Sequence, residues 1–196
     1  MAYKIYAAPS AEPLSSTEAK LHLKIDSDTT DDNLITMLIQ AAREQVESYT
    51  GRALITQTWD LIVDEFPKSE DDYCFYLYHC PVASITSIKY YDTSGVEQTL
   101  SSSVYGLDTS VEPNRVYLKY GQSWPSVYDQ PAVITVRFSA GYGASGSTVP
   151  AAIRSAMQLI LGHLYEHRED VVVGRTATPL PQNSCDLLNP YRIKEF

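Results

Sequence analysis

The sequence predicts an α+β fold: N- and C-terminal helices packed together, an inserted antiparallel β-rich domain and an extended C-terminal tail. Two stretches, residues 30–51 and 149–170, carry apolar residues at the spacing of one helical face. From Gln57 onward the period changes to two, and short turns rather than crossover helices separate the predicted strands. A helix with a wide apolar stripe needs a partner, so we expect the two helical stretches to pack on each other.

The N-terminal part is predicted to combine an extended arm with a short helix. Pro9 and Pro13 oppose helix formation, so the first thirteen residues are expected to be extended. Ser15 and Glu18 have the spacing of a capping box, which predicts a short helix directly after this arm.

The two longer helices have predictable ends. The first is expected to begin near residue 30 and to end at Gly51, a residue suited to a left-handed cap. The second is expected to begin at Pro150. Proline lacks a backbone N–H, and the N–H groups in the first turn of a helix have no partner within the helix. Their predicted apolar faces are Leu34, Ile35, Leu38, Ile39, Ala42, Val46 and Tyr49 on the first helix, and Ile153, Met157, Ile160, Leu161 and Leu164 on the second.

The inserted segment contains the predicted strands. These lie at residues 57–63, 74–78, 85–91, 104–107, 116–120 and 132–139. Residues 92–95, with the sequence D-T-S-G, have the composition of a hairpin turn. The predicted parts of the chain are an N-terminal arm (1–13), a first helical part (14–56), an inserted β domain (57–140), a long helix (141–174) and a tail (175–196).

Charge and cysteine content exclude several classes of protein. The net charge is −9 and the pI is about 4.8, so the chain does not attract phosphate backbones. Cys74, Cys80 and Cys185 form no C-x-x-C pair; we expect a reducing compartment and neither a disulfide framework nor a zinc finger. Neither a signal peptide nor a membrane span is expected. The fifteen tyrosines fit surfaces buried on assembly and strand preference equally well.

One motif suggests nucleotide binding. Gly141, Gly143 and Gly146 match G-x-G-x-x-G between a predicted strand and a predicted helix. The third glycine, however, lies several residues before that helix, and the preceding strands form an antiparallel meander rather than a βαβ unit. A glycine-rich connection is therefore the favoured interpretation.

A second motif suggests zinc. His163, Glu166 and His167 match H-x-x-E-H, in which histidines four residues apart lie on one helical face and can share a metal. A third ligand would have to come from the proline-containing tail, which offers only Asp186 and Glu195. An exposed polar helix end is the favoured interpretation.

Several short motifs follow one another along nearly the whole chain. The first two are L-S-S-T-E-A-K-L-H-L-K-I-D and D-D-N-L-I-T-M-L-I-Q-A-A-R-E-Q-V-E-S-Y-T-G-R-A-L-I-T-Q-T-W. They are followed by P-V-A-S-I-T-S-I-K-Y-Y-D, Trp124-Pro125, G-Y-G…V-P-A-A-I-R-S-A-M, H-L-Y-E-H-R-E-D and L-L-N-P-Y-R. Each motif is weak by itself. The ordered set resembles the phage head–tail connector proteins, the head-completion adaptors of long-tailed bacteriophages and gene transfer agents.

The resemblance implies a structural virion protein without enzymatic activity or a cofactor. It implies a ring, twelve-fold in the mature neck, between the portal protein and the next neck or tail-completion protein. It also implies assembly in the host bacterial cytoplasm, a final position in the virion neck, no membrane contact, and DNA that passes through the channel without specific binding. The acidic charge fits this role, because like charge discourages DNA from adhering to the wall.

The resemblance also indicates which residues make contacts. The C-terminal segment of relatives reaches the portal, and the matching positions here are Leu187, Leu188, Pro190, Tyr191 and Arg192. Helix packing in the ring body is expected from Leu34, Leu38, Val46, Ile153, Met157, Ile160 and Leu164. Because such a tail buries little surface on itself, removal of everything after Gly174 is predicted to leave the fold intact and to weaken portal attachment.

Three alternatives remain open. The first is another neck or tail-completion protein. The second is a zinc-dependent hydrolase that uses His163, Glu166 and His167. The third is a β domain that binds carbohydrate or protein at a host surface, which would show an exposed aromatic cluster within residues 57–140.

Overall fold

The computed structural model describes residues 1–25, 28–67, 74–167 and 182–193. The chain forms two compact units. The β unit comprises Met1–Ser10 and Thr56–Gly141, and the helical unit comprises Ala11–Ile55 and Tyr142–Phe196. The predicted α+β class is confirmed.

The helical unit contains α1 (Ser16–Leu23), α2 (Asp32–Thr50), α3 (Ala151–Glu166) and α4 (Gln182–Leu188). The predicted capping box starts α1: the amide of Glu18 donates to Ser15 Oγ at 3.2 Å, and the amide of Ser15 donates to Glu18 Oε2 at 2.9 Å. Gly51 ends α2 with φ +71°, as predicted from its freedom to adopt the left-handed region. The predicted long helix ends at Glu166, and residues 168–174 lie outside the described part of the chain.

The core of the helical unit lies between α2 and α3. Of the seven residues predicted to pack helices, Val46, Ile153, Met157 and Ile160 belong to this core, and Leu38 and Leu164 are partly buried against it. Leu34 differs, because it is only half-buried and lies outside the core cluster. The α2 residues buried in the core, Ile35, Ile39, Ala42 and Val46, all belong to the apolar face predicted for this helix.

The C-terminal segment differs from the predicted extended tail. Residues 182–188 form α4, and a 3₁₀ turn follows at Asn189–Tyr191. Leu188 is fully buried in the core of the helical unit. The amide of Ile193 donates to the carbonyl oxygen of Thr50 at 2.9 Å. Short helices such as α4 are stabilised mainly by tertiary packing, so the local sequence carried little sign of it.

Further contacts attach this segment to the end of α2. The hydroxyl of Tyr49 donates to Asn189 Oδ1 at 2.7 Å, and Arg52 Nε donates to the carbonyl oxygen of Tyr191. These contacts pair polar groups at the end of α2 with the C-terminal segment, which the prediction of an extended tail did not include. We therefore expect truncation after Gly174 to destabilise the helical unit, contrary to the sequence-based prediction.

The β unit consists of two antiparallel sheets. Its strands are β1 (Ala2–Ala7), β2 (Gln57–Val63), β3 (Cys74–Leu77), β4 (Val82–Tyr91), β5 (Glu97–Thr99), β6 (Tyr105–Asp108), β7 (Asn114–Leu118) and β8 (Ile134–Ala140). The five-stranded sheet has the order β1-β2-β8-β4-β5, and the three-stranded sheet has the order β3-β7-β6. Every strand pairing among the described residues is antiparallel, as predicted.

The predicted N-terminal arm is a strand of the β unit. Residues of β1 pair with β2, with Tyr3 opposite Leu61 and Ile5 opposite Trp59. The hydroxyl of Tyr3 donates to the carbonyl oxygen of Tyr76 at 2.8 Å and accepts from the amide of Tyr78 at 3.2 Å. The arm therefore joins the two sheets. Its partner strand lies far along the chain, which is why the arm's own sequence showed only an extended conformation.

Candidate interaction surfaces

The C-terminal segment presents only part of the predicted portal contact. Pro190 and Arg192 are exposed, Leu187 and Tyr191 are half-buried against the helical core, and Leu188 is inaccessible. The guanidinium of Arg192 lies 5.4 Å from the centre of the ring of Tyr49. Asp186 and Asn189 of the same segment are also exposed, so its accessible side carries one positive and one negative charge. The portal contact itself stays a prediction.

A buried arginine connects the start of the helical unit to α2. Arg43 Nε lies 2.8 Å from Glu12 Oε2, its Nη1 lies 2.8 Å from Glu47 Oε2, and its Nη2 lies 3.4 Å from Glu44 Oε1. Glu47 Oε1 also accepts from the amide of Leu54 at 2.8 Å. Burial opposes the charge of Arg43, but Glu47 and Glu12 outweigh it and raise the pKa of Arg43. The cluster fixes the two chain segments that enter and leave the helices.

The glycines of the G-x-G-x-x-G motif have structural reasons to be glycine. Gly143 has φ +157°, and a Cβ built there would lie 2.6 Å from Thr148 Oγ1. A Cβ at Gly146 would overlap the carbonyl oxygen of Pro13. The strand before the motif, β8, belongs to an antiparallel sheet. These observations support the glycine-rich connection and give no βαβ context for a nucleotide.

The histidines of the H-x-x-E-H motif meet at the exposed end of α3. The ring centres of His163 and His167 are 4.7 Å apart, and Glu166 is exposed beside them. Over residues 1–25, 28–67, 74–167 and 182–193, no three His, Cys, Asp or Glu side chains are grouped so that they could hold a metal ion. Asp186 is exposed on α4, and Glu195 lies outside the described residues.

A histidine in the β unit is half-buried among aromatic rings. The ring of His79 stacks on Trp59 with centres 3.8 Å apart and an angle of 5° between the planes. Tyr3 meets the same imidazole edge-on at 5.2 Å. Burial lowers the pKa of His79 to about 4, so the imidazole is neutral at pH 7. The residue stabilises the β unit as a neutral aromatic group.

The outward side of the three-stranded sheet carries tyrosines that the sequence analysis did not single out. Tyr76 on β3 and Tyr117 on β7 are exposed, whereas Phe75, Leu77 and Val116 between and beside them are buried. The alternation along C-F-Y-L and N-R-V-Y-L predicts that these tyrosines lie on the side of their strand opposite to the buried residues. The sequence alone did not show that both tyrosines lie on one face, because that depends on the pairing of β3 with β7.

Solved structures show the same fold over the full length of the chain. A chain of the neck of the empty gene transfer agent (GTA) particle, computed with C6 symmetry, is 23% identical, with a TM-score of 0.83 over 100% of this chain and 97% of that chain. A chain of the native GTA neck, computed with C12 symmetry, is 23% identical with a TM-score of 0.79 over the same shares. A chain of the native GTA virion is 24% identical with a TM-score of 0.80, again over 100% and 97%.

The fold is thus the one found in these chains of gene transfer agent particles. The chain matches the head completion protein family over residues 13–193, which is most of its length, and it belongs to that family. The resemblance inferred from the ordered motifs is therefore confirmed. No curated protein matches the chain significantly. Within the described ranges, no helix has the length and apolar character needed to cross a membrane.

Proposed function

We propose that the protein is a head–tail connector, a structural ring beneath the portal that joins the capsid to the tail and continues the DNA channel. The observation that carries the proposal is the match to the head completion family over residues 13–193, together with a fold shared over the full length with chains of GTA necks. The protein acts by binding partners, not by catalysis. It is assembled in the bacterial host and remains in the neck of the virion.

The ring has twelve copies in this proposal. Support comes from the related neck structure with C12 symmetry and from the fold that both chains share. A closed ring with rotational symmetry uses two different surfaces of each copy, one for each neighbour. The chain must therefore present two contact surfaces to other copies besides those for the portal and the next neck protein.

The portal contact is assigned to the exposed edge of the C-terminal segment. Pro190 and Arg192 are exposed, and Leu187 and Tyr191 are half-buried. Leu188 has a different task, because its burial in the helical core holds the segment in position. The guanidinium of Arg192 is suited to a carboxylate or carbonyl on the portal.

The channel role agrees with the charge. Each copy carries a net charge of −9, so a ring of copies repeats negative charge around its axis. DNA is repelled from such a wall and slides through it without binding. If the acidic side chains of the assembled ring pointed away from the channel, this part of the proposal would be wrong.

The test is co-purification of the protein with its cognate portal ring, followed by electron microscopy of the complex. We expect an added ring below the portal. Arg192→Gln is expected to weaken attachment, whereas Lys24→Gln, which also removes one exposed positive charge from the helical unit, is expected to leave it unchanged. Absence of any association with the portal would overturn the proposal. Association only with a later neck component would assign the protein one position further down.

A further inference from the structure

The β unit carries most of the exposed large hydrophobic side chains among the described residues. Nine of the eleven exposed large hydrophobic side chains in the described part of the chain lie in the β unit, and the two in the helical unit are Leu21 and Met37. Exposed apolar and aromatic groups that are clustered on one face mark interaction surfaces. The β unit is therefore the part of the molecule in which to look for such a surface.

The outward side of the three-stranded sheet forms one ordered patch. In one row across the sheet Tyr76 lies opposite Arg115, which lies opposite Asp108. In the next row on the same side, Tyr117 lies opposite Gly106. We call these five residues the tyrosine face. Tyrosine and arginine are the residue types enriched at the centres of protein interfaces.

The geometry holds one tyrosine of this face in place. A Cβ built on Gly106 would lie 2.6 Å from Cζ of Tyr117, so the phenol ring lies directly on the glycine backbone. Tyr117 still keeps 36% of its surface exposed, and its diagonal neighbour Tyr76 keeps 43%. An aromatic side chain that is fixed before binding loses little entropy when a partner covers it. This is the arrangement expected of an interface anchor.

The charges of the tyrosine face cancel within it. Arg115 Nε lies 2.8 Å from Asp108 Oδ2. Ser110 binds the other oxygen of this carboxylate with its hydroxyl at 2.6 Å and its amide at 2.9 Å. These hydrogen bonds, and then the one from Arg115, lower the pKa of Asp108 to about 2, so the pair stays ionised at neutral pH.

Charge also indicates which partner fits. Copies of a chain with a net charge of −9 repel one another, so they meet best on a surface whose acidic group is already neutralised. A polyanion such as DNA gains nothing from a face without free positive charge. The occupant favoured by these observations is another copy of the same chain.

We propose that the tyrosine face is one of the two contact surfaces between neighbouring copies in the ring, so that the β unit takes part in holding the ring together. The inference rests on the proposed function, because it needs the ring. It extends the expectation that helices form the ring body. The next copy receives this face on a different part of its own surface, as rotational symmetry requires.

The experiment uses photo-crosslinking in assembled particles. The variant Tyr76→p-benzoylphenylalanine puts a photoreactive ketone in the tyrosine face. The matched control is Tyr128→p-benzoylphenylalanine, because Tyr128 is 44% exposed, lies in the same unit and is not on this sheet. We expect the first variant, after irradiation, to give a ladder of species at multiples of the 21.9 kDa chain, and the control to give none.

Each outcome has a separate meaning. A crosslink from position 76 to the portal, to another neck protein, to a host-surface component or to DNA overturns the inference while the ring remains. No crosslink in particles that contain the protein overturns it as well. Failure of the wild-type chain to enter particles contradicts the proposed function instead.

A second set of variants tests the anchor directly. The double variant Tyr76→Ser with Tyr117→Ser is expected to lower ring assembly on the portal about tenfold, the loss typical of removing interface anchors. Gly106→Ala is expected to act in the same direction, because a methyl group there displaces the ring of Tyr117 without removing it. Tyr128→Ser is the control. Unchanged assembly by the double variant, with the fold verified by circular dichroism, contradicts the inference.

Discussion

The two units of the protein use their apolar residues in different ways. In the helical unit the apolar residues of α2, α3 and α4 converge on one core, and only Leu21 and Met37 are exposed large hydrophobics among its described residues. In the β unit each strand has two sides, and tyrosines occupy several of the outward positions. The difference has a geometric reason: a helix buries one stripe of residues, whereas a strand presents every second residue on its outward side.

The largest expected effect concerns the dependence of the helical unit on its C-terminal segment. Leu188→Ala is expected to lower the free energy of unfolding by about 3 kcal/mol, because it leaves a cavity in the core. Leu187→Ala is the matched control and is expected to cost less, since Leu187 is half-buried. Urea unfolding followed by circular dichroism measures both. Equal, small effects would mean that α4 does not contribute to this core.

The next effect concerns the buried charge of the helical unit. Arg43→Met leaves Glu12 and Glu47 without their shared cation and is expected to destabilise the protein by about 2 kcal/mol, less than for a wholly buried pair because Glu12 keeps some exposure. Thermal unfolding measures the change. The variant Arg115→Met is a useful comparison, because Arg115 pairs with one carboxylate at the surface of the β unit. A larger loss from Arg115→Met would reverse our comparison of the two units.

A smaller effect concerns the pH dependence of stability that His79 gives to the β unit. His79 is neutral in the folded protein, with its pKa lowered to about 4, and it regains a pKa near 6.5 on unfolding. The unfolded chain therefore binds more protons between pH 6.5 and 4, and stability falls as the pH falls through this window. Because part of the ring remains in contact with solvent, we expect a loss of about 1 kcal/mol.

Trp59 reports this transition, because its indole stacks on His79. Tryptophan fluorescence during urea unfolding at pH 7 and pH 4.5 measures the change. The variant His79→Phe keeps an aromatic ring without a titrating nitrogen and is expected to remove most of the difference. The same pH dependence in the variant would assign the effect to other groups.

The smallest expected effect concerns the start of α1. Ser15→Ala removes the cap from the amide of Glu18 and is expected to cost about 0.5 kcal/mol, because the cap is exposed. Ser16→Ala, one position later and exposed, is the control and is expected to be nearly neutral. Chemical denaturation monitored at 222 nm compares the two. Equal effects would show that the capping box does not stabilise the helical unit.

Local sequence signals predicted the features that depend on residues close together in the chain. The capping box at Ser15, the left-handed end of α2 at Gly51 and the alternation along β8 are all properties of a few neighbouring residues. Of the residues predicted to pack helices, Leu34 is half-buried and lies outside the core cluster, so its packing role stays a prediction. Family membership was also readable, since it depends on the order of motifs along the chain.

Only the tertiary structure decided where the two ends of the chain belong. The first residues become β1 because β2 offers a free edge, and residues 182–188 become helical because α2 and α3 leave room for Leu188. The tyrosine face likewise exists only because β3 pairs with β7 in one particular register. The sequence by itself determined the hydrophobic periods of helices and strands and the helix caps, because each of these depends on residues close together in the chain. Pairings between distant residues depend on the whole folded chain, because no short segment contains both partners.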